Sequence, residues 1–374
     1  MSIRTASHAG SWYESSKSKL DTQLTNWLSV VPPASPLNNN HGAKVRGIIS
    51  PHAGYSYSGP TAAWGFASLQ TEGIKRVFVL GPSHHVYLRK CALSLFDAVA
   101  TPLGDLPIDT ELVAELMMSS LFEPMEPQAD INEHSLEMQY PYLRKIFAGE
   151  DIKVVPIIVG SPSHSTALQY GAFLAPYLAS PDTAFVISSD FCHWGSRFDY
   201  TLFSTPRTPT IQIGTSVSSA KKETTRYLDQ DQLVHDSIQK LQVTHLRGSK
   251  TQVLDTSIKE TGHGLLHSIV ELDCEGMECI EFGSKVHNIS EGKIGPKDST
   301  RASEDFAQHL KETGNTICGR HPISIFLGCL VALQKNEKWK DLAIEWRRYD
   351  QSSKCESVRD SSVSYATGVL WIKE

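Results

Sequence analysis

The chain has 374 residues and a formal net charge of −6, with 40% apolar and 20% charged residues, enough to bury a large core without disulfides or structural metals. The negative balance, with no Lys/Arg-dense stripe, argues against nucleic acid or a membrane surface as partner, and no apolar run nears the roughly 20 residues of a membrane span. Seven cysteines at irregular spacing with no CxxC pair, behind an N-terminus lacking the apolar core of a signal peptide, read as a reduced, cytosolic or nuclear protein.

In chain order, residues from Leu20 to Val31 carry helical spacing that stops at Pro32-Pro33, and the polar PPASPLNNNHG reads as a loop. Four short apolar runs come next: VRGIIS (45–50), RVFVLG (76–81), IKVVPIIVG (152–160) and TAFVISS (183–189). They are rich in Val, Ile or Phe, bounded by Gly, Pro, Ser or Asp, and show little period-2 alternation, as strands buried on both faces do. Helix-compatible stretches at 59–71, 109–120, 135–148 and 166–179 lie between them. The alternation predicts an α/β fold with a central, largely parallel or mixed sheet flanked by helices. Residues 204–262 and 284–303 are polar with weak periodicity and read as flexible surface insertions in a single domain spanning 1–374. Globular signals return at Phe306–Leu310, Ile323–Lys335 and a final strand, SVSYATGVLWI (362–372).

The residues just beyond the apolar runs are more informative. VRGIIS leads into Pro51-His52-Ala53-Gly54, RVFVL into Gly81-Pro82-Ser83-His84-His85, and TAFVIS into Ser189-Asp190-Phe191-Cys192-His193. Open α/β sheets bind ligands beyond the carboxyl ends of their strands, so three such ends would build one polar pocket from residues distant in sequence. A fourth contribution is Asn315-Thr316-Ile317-Cys318-Gly319-Arg320-His321-Pro322. There a cysteine precedes an apolar helix, a position that favours the thiolate. Thiolate and neutral imidazole suit copper, zinc or iron, whereas magnesium and calcium require oxygens. Against this, a lone histidine after a strand is more often part of a structural hydrogen bond, and no compact metal motif such as HExxH is present.

Other groups carry weaker signals. Glu133, His134 and Glu137 fall within one helical turn and could support the pocket from behind, although acidic complement to the helix dipole alone accounts for Glu133. Ser7-His8-Ala9-Gly10-Ser11-Trp12-Tyr13 and Tyr55-Ser56-Tyr57 could wall the pocket with aromatics or simply cover the sheet edge. Cys192 and Cys329, in apolar surroundings, read as inert core thiols. Cys91, Cys274, Cys279 and Cys355 have no evident partner. His164, His235, His245, His263, His267, His287 and His309 read as surface residues.

Eight ordered segments, SHAGSWY (7–13), PHAGYSYSG (51–59), LGPSHH (80–85), DLPID (105–109), NEHSLEMQYPYL (132–143), SSDFCHWG (188–195), NTICGRHPI (315–323) and QSSKCESVRDSSVSYATG (351–368), resemble the MEMO family and cover most of the chain outside the two insertions. The resemblance implies a fold similar to the class III extradiol dioxygenases, non-haem iron enzymes whose metal is held by two His and one Glu. His52 and His84 match the two histidines; Cys318 stands in place of the glutamate; His193, Asp190 and His134 match further pocket residues with catalytic roles. The softer, oxidisable thiolate argues against ring cleavage and favours a copper or iron ion with one-electron redox chemistry, such as thiol oxidation or reduction of oxygen to superoxide. The family is also associated with motility signalling downstream of receptor tyrosine kinases, with phosphotyrosine-peptide or cytoskeletal partners, and, in fungal-type members, with invasive or filamentous growth. A non-enzymatic scaffold with a vestigial pocket is the second reading, in which Arg320 or Arg4 would pair with a phosphate. A thiol enzyme with Cys318 as nucleophile is the third.

Overall fold

The computed structural model describes residues 1–34, 42–202, 265–283, 297–336, 341–357 and 359–373, with Trp339 and the short pairs 205–206, 241–242, 287–288 and 293–294. The N-terminal half runs β1 (Ile3–Arg4), α1 (Lys17–Ser29), β2 (Lys44–Ser50), α2 (Tyr55–Ser68), β3 (Arg76–Pro82), β4 (Cys91–Leu93), β5 (Ala98–Val99), β6 (Leu106–Pro107), α3 (Thr110–Met117) and β7 (Phe122–Pro124). After these come α4 (Pro127–Asn132), α5 (His134–Glu137), α6 (Tyr140–Ile146), β8 (Lys153–Val159), α7 (His164–Ala179), β9 (Thr183–Ser188) and β10 (His193–Trp194). The chain then forms α8 (Leu265–Ile280), α9 (Ser299–Thr313), α10 (Arg320–Gln334), β11 (Ala343–Gln351) and β12 (Ser362–Ile372).

The four apolar runs are the parallel centre of a nine-stranded mixed sheet, ordered β10-β12-β2-β9-β3-β8-β4-β7 with β11 paired to β12. In β2, β8 and β9 every residue after the first is buried, as in β3, which is why their sequences lack alternation. Antiparallel β12 on one side and β4 on the other make the sheet mixed. Helices α1, α2 and α6 pack on the β2–β12 side of one face, while α7 and α10 cover β3 and β9 on the other, with α9 and α8 stacked outside α10. Among the described residues no helix is long and apolar enough to cross a membrane.

The differences from the sequence reading have local causes. The helix expected over 135–148 is two, α5 and α6, because Pro141 sits in the first turn of α6 and has no N–H to continue α5. Strand β11, AIEWRRYDQ, is absent from the sequence reading; it is an edge strand, half-buried after Trp346, and its charged residues hide the strand pattern. Helix α9 starts inside the polar stretch 284–303, where the Asp298 carboxylate accepts from the Arg301 N–H at 2.8 Å; Asp298 caps it and Thr300 and Arg301 face solvent, while Ser299 and Ser303 are buried. Apart from the short pairs, the rest of 284–303 up to residue 296 and the stretch 204–262 lie outside the described residues.

Helices α7 and α10 cross backbone to backbone. A β-carbon on Gly171 would lie 2.2 Å from the Gly328 carbonyl carbon and 2.5 Å from the Cys329 nitrogen. Only residues without a side chain permit that crossing, and it sets where the N-terminal end of α10 meets the sheet. Gly171→Ala is therefore expected to destabilise the fold by about 3 kcal/mol, the upper part of the range for overpacking, read as a lowered midpoint in urea unfolding.

Candidate metal centre

Parallel pairing places the carboxyl ends of β2, β9 and β3 at one edge, with Ser50 in register with Ser188 and Leu80 with Ile187. The Ser189 N–H donates to the Ser50 carbonyl at 2.9 Å, and the Asp190 carboxylate accepts from the backbone N–H of His52 (2.8 Å) and of Ala53 (3.3 Å). Asp190 is thus a bracket between two strand ends. The turn before α10 reaches the same edge because Gly319 has no side chain: a β-carbon there would lie 2.3 Å from the Ser189 Cβ and 2.5 Å from the Ser188 carbonyl oxygen. Its N–H donates to Ser189 Oγ at 3.0 Å. Thr316 Oγ1 accepts from the His193 N–H (2.8 Å) and donates to the His193 carbonyl (3.0 Å), joining the β9–β10 loop to the same turn.

The outcome is that one ligand atom each from His52, His84 and Cys318 lies within 4.8 Å of the other two. His52 is 1% exposed; its Nδ1 is 2.8 Å from Ser188 Oγ, while its Nε2 is buried with no hydrogen-bond partner. Burial, and then the neighbouring His84, hold His52 well below the usual histidine range, as a neutral ring. His84 donates Nδ1–H to Glu133 Oε1 at 2.8 Å and its backbone N–H to Glu133 Oε2 at 2.6 Å. A carboxylate only accepts, so the His84 proton sits on Nδ1 and the Nε2 lone pair is free, the arrangement that orients metal-binding imidazoles. Burial raises the Glu133 carboxyl, but the hydrogen bonds from His84 outweigh it and hold the group at about 2.

Cys318 differs from its sequence reading. Burial, then the Asp190 carboxylate, push its thiol well above the ordinary range, and Arg320 offsets only part of this; desolvation overrides the helix terminus. The thiol faces His193, with Sγ 3.5 Å from Nε2. His193 Nδ1 donates to the Phe191 carbonyl at 2.9 Å, so in the neutral ring Nε2 is the acceptor for the S–H. His134 stacks on His84 with centroids 4.3 Å apart and is covered by Trp12 at 4.4 Å. Burial, then His52 and His84, hold His134 down at about 2. Its Nδ1 is 3.6 Å from Glu133 Oε1, too far for a hydrogen bond.

The other sequence assignments divide. Glu133 does more than complement a dipole: it caps α5 through the Ser135 N–H at 2.9 Å while holding His84. Glu137 turns away from the ligand atoms toward the N-terminus, accepting from Arg4 Nη1 (2.7 Å), the His8 N–H (2.8 Å) and Tyr13 OH (2.9 Å). Arg4 is buried and committed to Asp130 and Glu137, which removes it as a phosphate ligand. Of the aromatics, Trp12 walls the site, Tyr55 is buried with its hydroxyl on the Met138 carbonyl, and Tyr57 is exposed. All seven cysteines are free, with Cys192 and Cys329 fully buried. His164 is exposed, but His309 is buried against α8 beside Gly276 rather than on the surface. His235, His245, His263 and the side chains of His267 and His287 lie outside the described residues. Ser188 and Gln139, which the sequence did not single out, line the buried side of His52; uncharged polar residues in apolar runs carry no distinguishing pattern.

Comparison with known proteins gives a consistent kinship. The family model described as Memo-like protein matches residues 4–280 and 296–369. Protein MEMO1 of Xenopus laevis is 37% identical over 369 residues, covering 98% of this chain and 97% of the relative. Protein MEMO1 of Homo sapiens is 36% identical over 371 residues, 99% of this chain and 97% of the relative. A MEMO1 family protein of Schizosaccharomyces pombe is 37% identical over 370 residues, 98% of each.

Burial raises the Glu137 carboxyl, but His8 and Arg4 outweigh it and hold the group at about 2, against an ordinary 4.5. A depressed carboxyl contributes stability that is complete above its ordinary value and is lost as pH falls toward the folded one. Glu137→Gln is expected to cost about 2 kcal/mol at neutral pH, because buried Arg4 keeps its ion pair with Asp130 but loses the charged acceptor of one hydrogen bond. It should also flatten the decline in stability between pH 4.5 and about 2, measured by urea unfolding across that range.

Proposed function

The chain belongs to the Memo-like family, and from that premise we propose that it holds one copper or iron ion on His52, His84 and Cys318 and serves one-electron redox chemistry. The observation that carries this is the gathering of one ring nitrogen each from His52 and His84 with the Cys318 sulfur, beside a His52 Nε2 that is buried with no hydrogen-bond partner. Two neutral imidazoles and a thiolate fit a soft or borderline transition metal and do not fit magnesium or calcium. Bound there, copper or iron would exchange single electrons with a small thiol or with oxygen. The chain's own groups prepare the site: Glu133 orients His84, Asp190 fixes the His52 loop, and His193 Nε2 stands ready to take the Cys318 proton. A thiol in the third position supplies no hard oxygen ligand, so ring cleavage forms no part of the proposal.

The setting is proposed on kinship: a cytoplasmic protein linked to motility or invasive-growth signalling. A phosphotyrosine-peptide partner has one group in its favour, Arg320, which is exposed two residues from Cys318 with Nη1 at 3.2 Å from the Ile317 carbonyl.

Elemental analysis of protein purified without added metal tests the central claim. Close to one equivalent of copper or iron is expected in the parent protein, lost in Cys318→Ser while circular dichroism is unchanged; equal metal content in the two would overturn the claim. Tight binding of a phosphotyrosine peptide by metal-free protein, weakened in Arg320→Ala, would support the partner.

A further inference from the structure

The Nδ1 side of His52 meets a hydrogen-bond chain whose direction can be read from valence alone. Ser188 Oγ, fully buried, lies 2.6 Å from the Ser135 carbonyl oxygen, 3.0 Å from Gln139 Nε2 and 2.8 Å from His52 Nδ1. A serine hydroxyl has one proton and two lone pairs. The Ser135 carbonyl can only accept, so the proton goes there. Gln139 Nε2 also lies 3.0 Å from the Pro51 carbonyl oxygen; that second obligatory acceptor fixes the amide nitrogen, not its oxygen, toward Ser188. Both N–H bonds of the amide are then spent, on Pro51 and on Ser188. One Ser188 lone pair remains, and it faces His52 Nδ1, which must supply a proton.

We infer that Ser188 is the positioning residue that holds His52 in its Nδ1–H tautomer, with Gln139 and the Ser135 carbonyl setting the direction of the Ser188 hydroxyl, so that the Nε2 lone pair stays open toward His84 and Cys318. The opposite tautomer fails on both sides. Its Nδ1 lone pair would meet a hydroxyl whose proton is already placed, and its Nε2–H would find Asp190 Oδ2 only at 4.0 Å, beyond hydrogen-bond range. The two histidines are thus fixed by different means: His84 by a carboxylate, which strengthens it as a donor, and His52 by a neutral hydroxyl, which sets its direction without adding charge.

The inference rests on the proposed metal site for its purpose but not for its test. In metal-free protein labelled with ¹⁵N-histidine, the long-range proton–nitrogen spectrum separates pyrrole-type from pyridine-type nitrogens, and the His52 signals are identified by their loss in His52→Gln. The parent protein should show Nδ1 as pyrrole-type and Nε2 as pyridine-type. Ser188→Ala should mix the tautomers and weaken binding of Cu(I) or Co(II), measured by competition with a chelator, roughly ten- to a hundredfold. Ser188→Thr, which keeps the hydroxyl, should restore both. A parent spectrum with Nε2 protonated overturns the inference without any variant, and so does a Ser188→Ala protein with unchanged tautomer and affinity. The expected parent tautomer, lost in Ser188→Ala, in a protein that binds neither metal supports the hydrogen-bond chain and sinks only the metal reading.

Discussion

Gly319 lies against the end of β9 so closely that a methyl group in its place would overlap both Ser188 and Ser189. That contact is the constraint on which the site depends. Cys318 is more than 200 positions from both histidines in sequence, and only the backbone approach at Gly319 brings its sulfur beside their rings. The approach is itself inherited from the crossing of α7 and α10 at Gly171 and Gly328, which lets α10 lie low on the sheet with its N-terminal end at the strand edge. A polar site assembled this way needs no flexible loop to close it; its geometry is fixed by the packing of the core.

Behind the three ligand atoms, the supporting residues are arranged so that no proton lies between them. Glu133 draws the proton of His84 to the far nitrogen and Ser188 does the same for His52, while His193 presents an acceptor to the Cys318 thiol. Burial keeps the rings of His52 and His134 neutral and Cys318 protonated. A cation entering such a site gains two prepared lone pairs and must displace one proton, a cost that couples binding to pH.

The N-terminal segment is structural as well as peripheral. Arg4 and Glu137 form a buried pair whose remaining hydrogen bonds hold the 130–137 segment and residues 7–13 together. Through it Trp12 lies on His134, and His134 on His84. Such a pair contributes less to net stability than to fixing one arrangement: without Glu137, Arg4 would still be paired with Asp130, but the hydrogen bonds to His8 and Tyr13 would be lost.

The sequence by itself determined the central strands, the interleaved helices and the presence of ligand-type residues after the strands. Burial on both faces writes itself as uninterrupted apolar runs, and the turns after them must be polar. It could not determine that Arg4 is consumed in the core, that His309 is buried, that Glu133 holds His84, or that the Cys318 thiol is kept protonated. Those outcomes depend on which surfaces meet, and desolvation and hydrogen-bond direction are properties of the assembled neighbourhood rather than of any residue's place in the chain. The edge strand β11 escaped for the related reason that a half-exposed strand of charged residues is specified by its partner β12 and not by its own pattern.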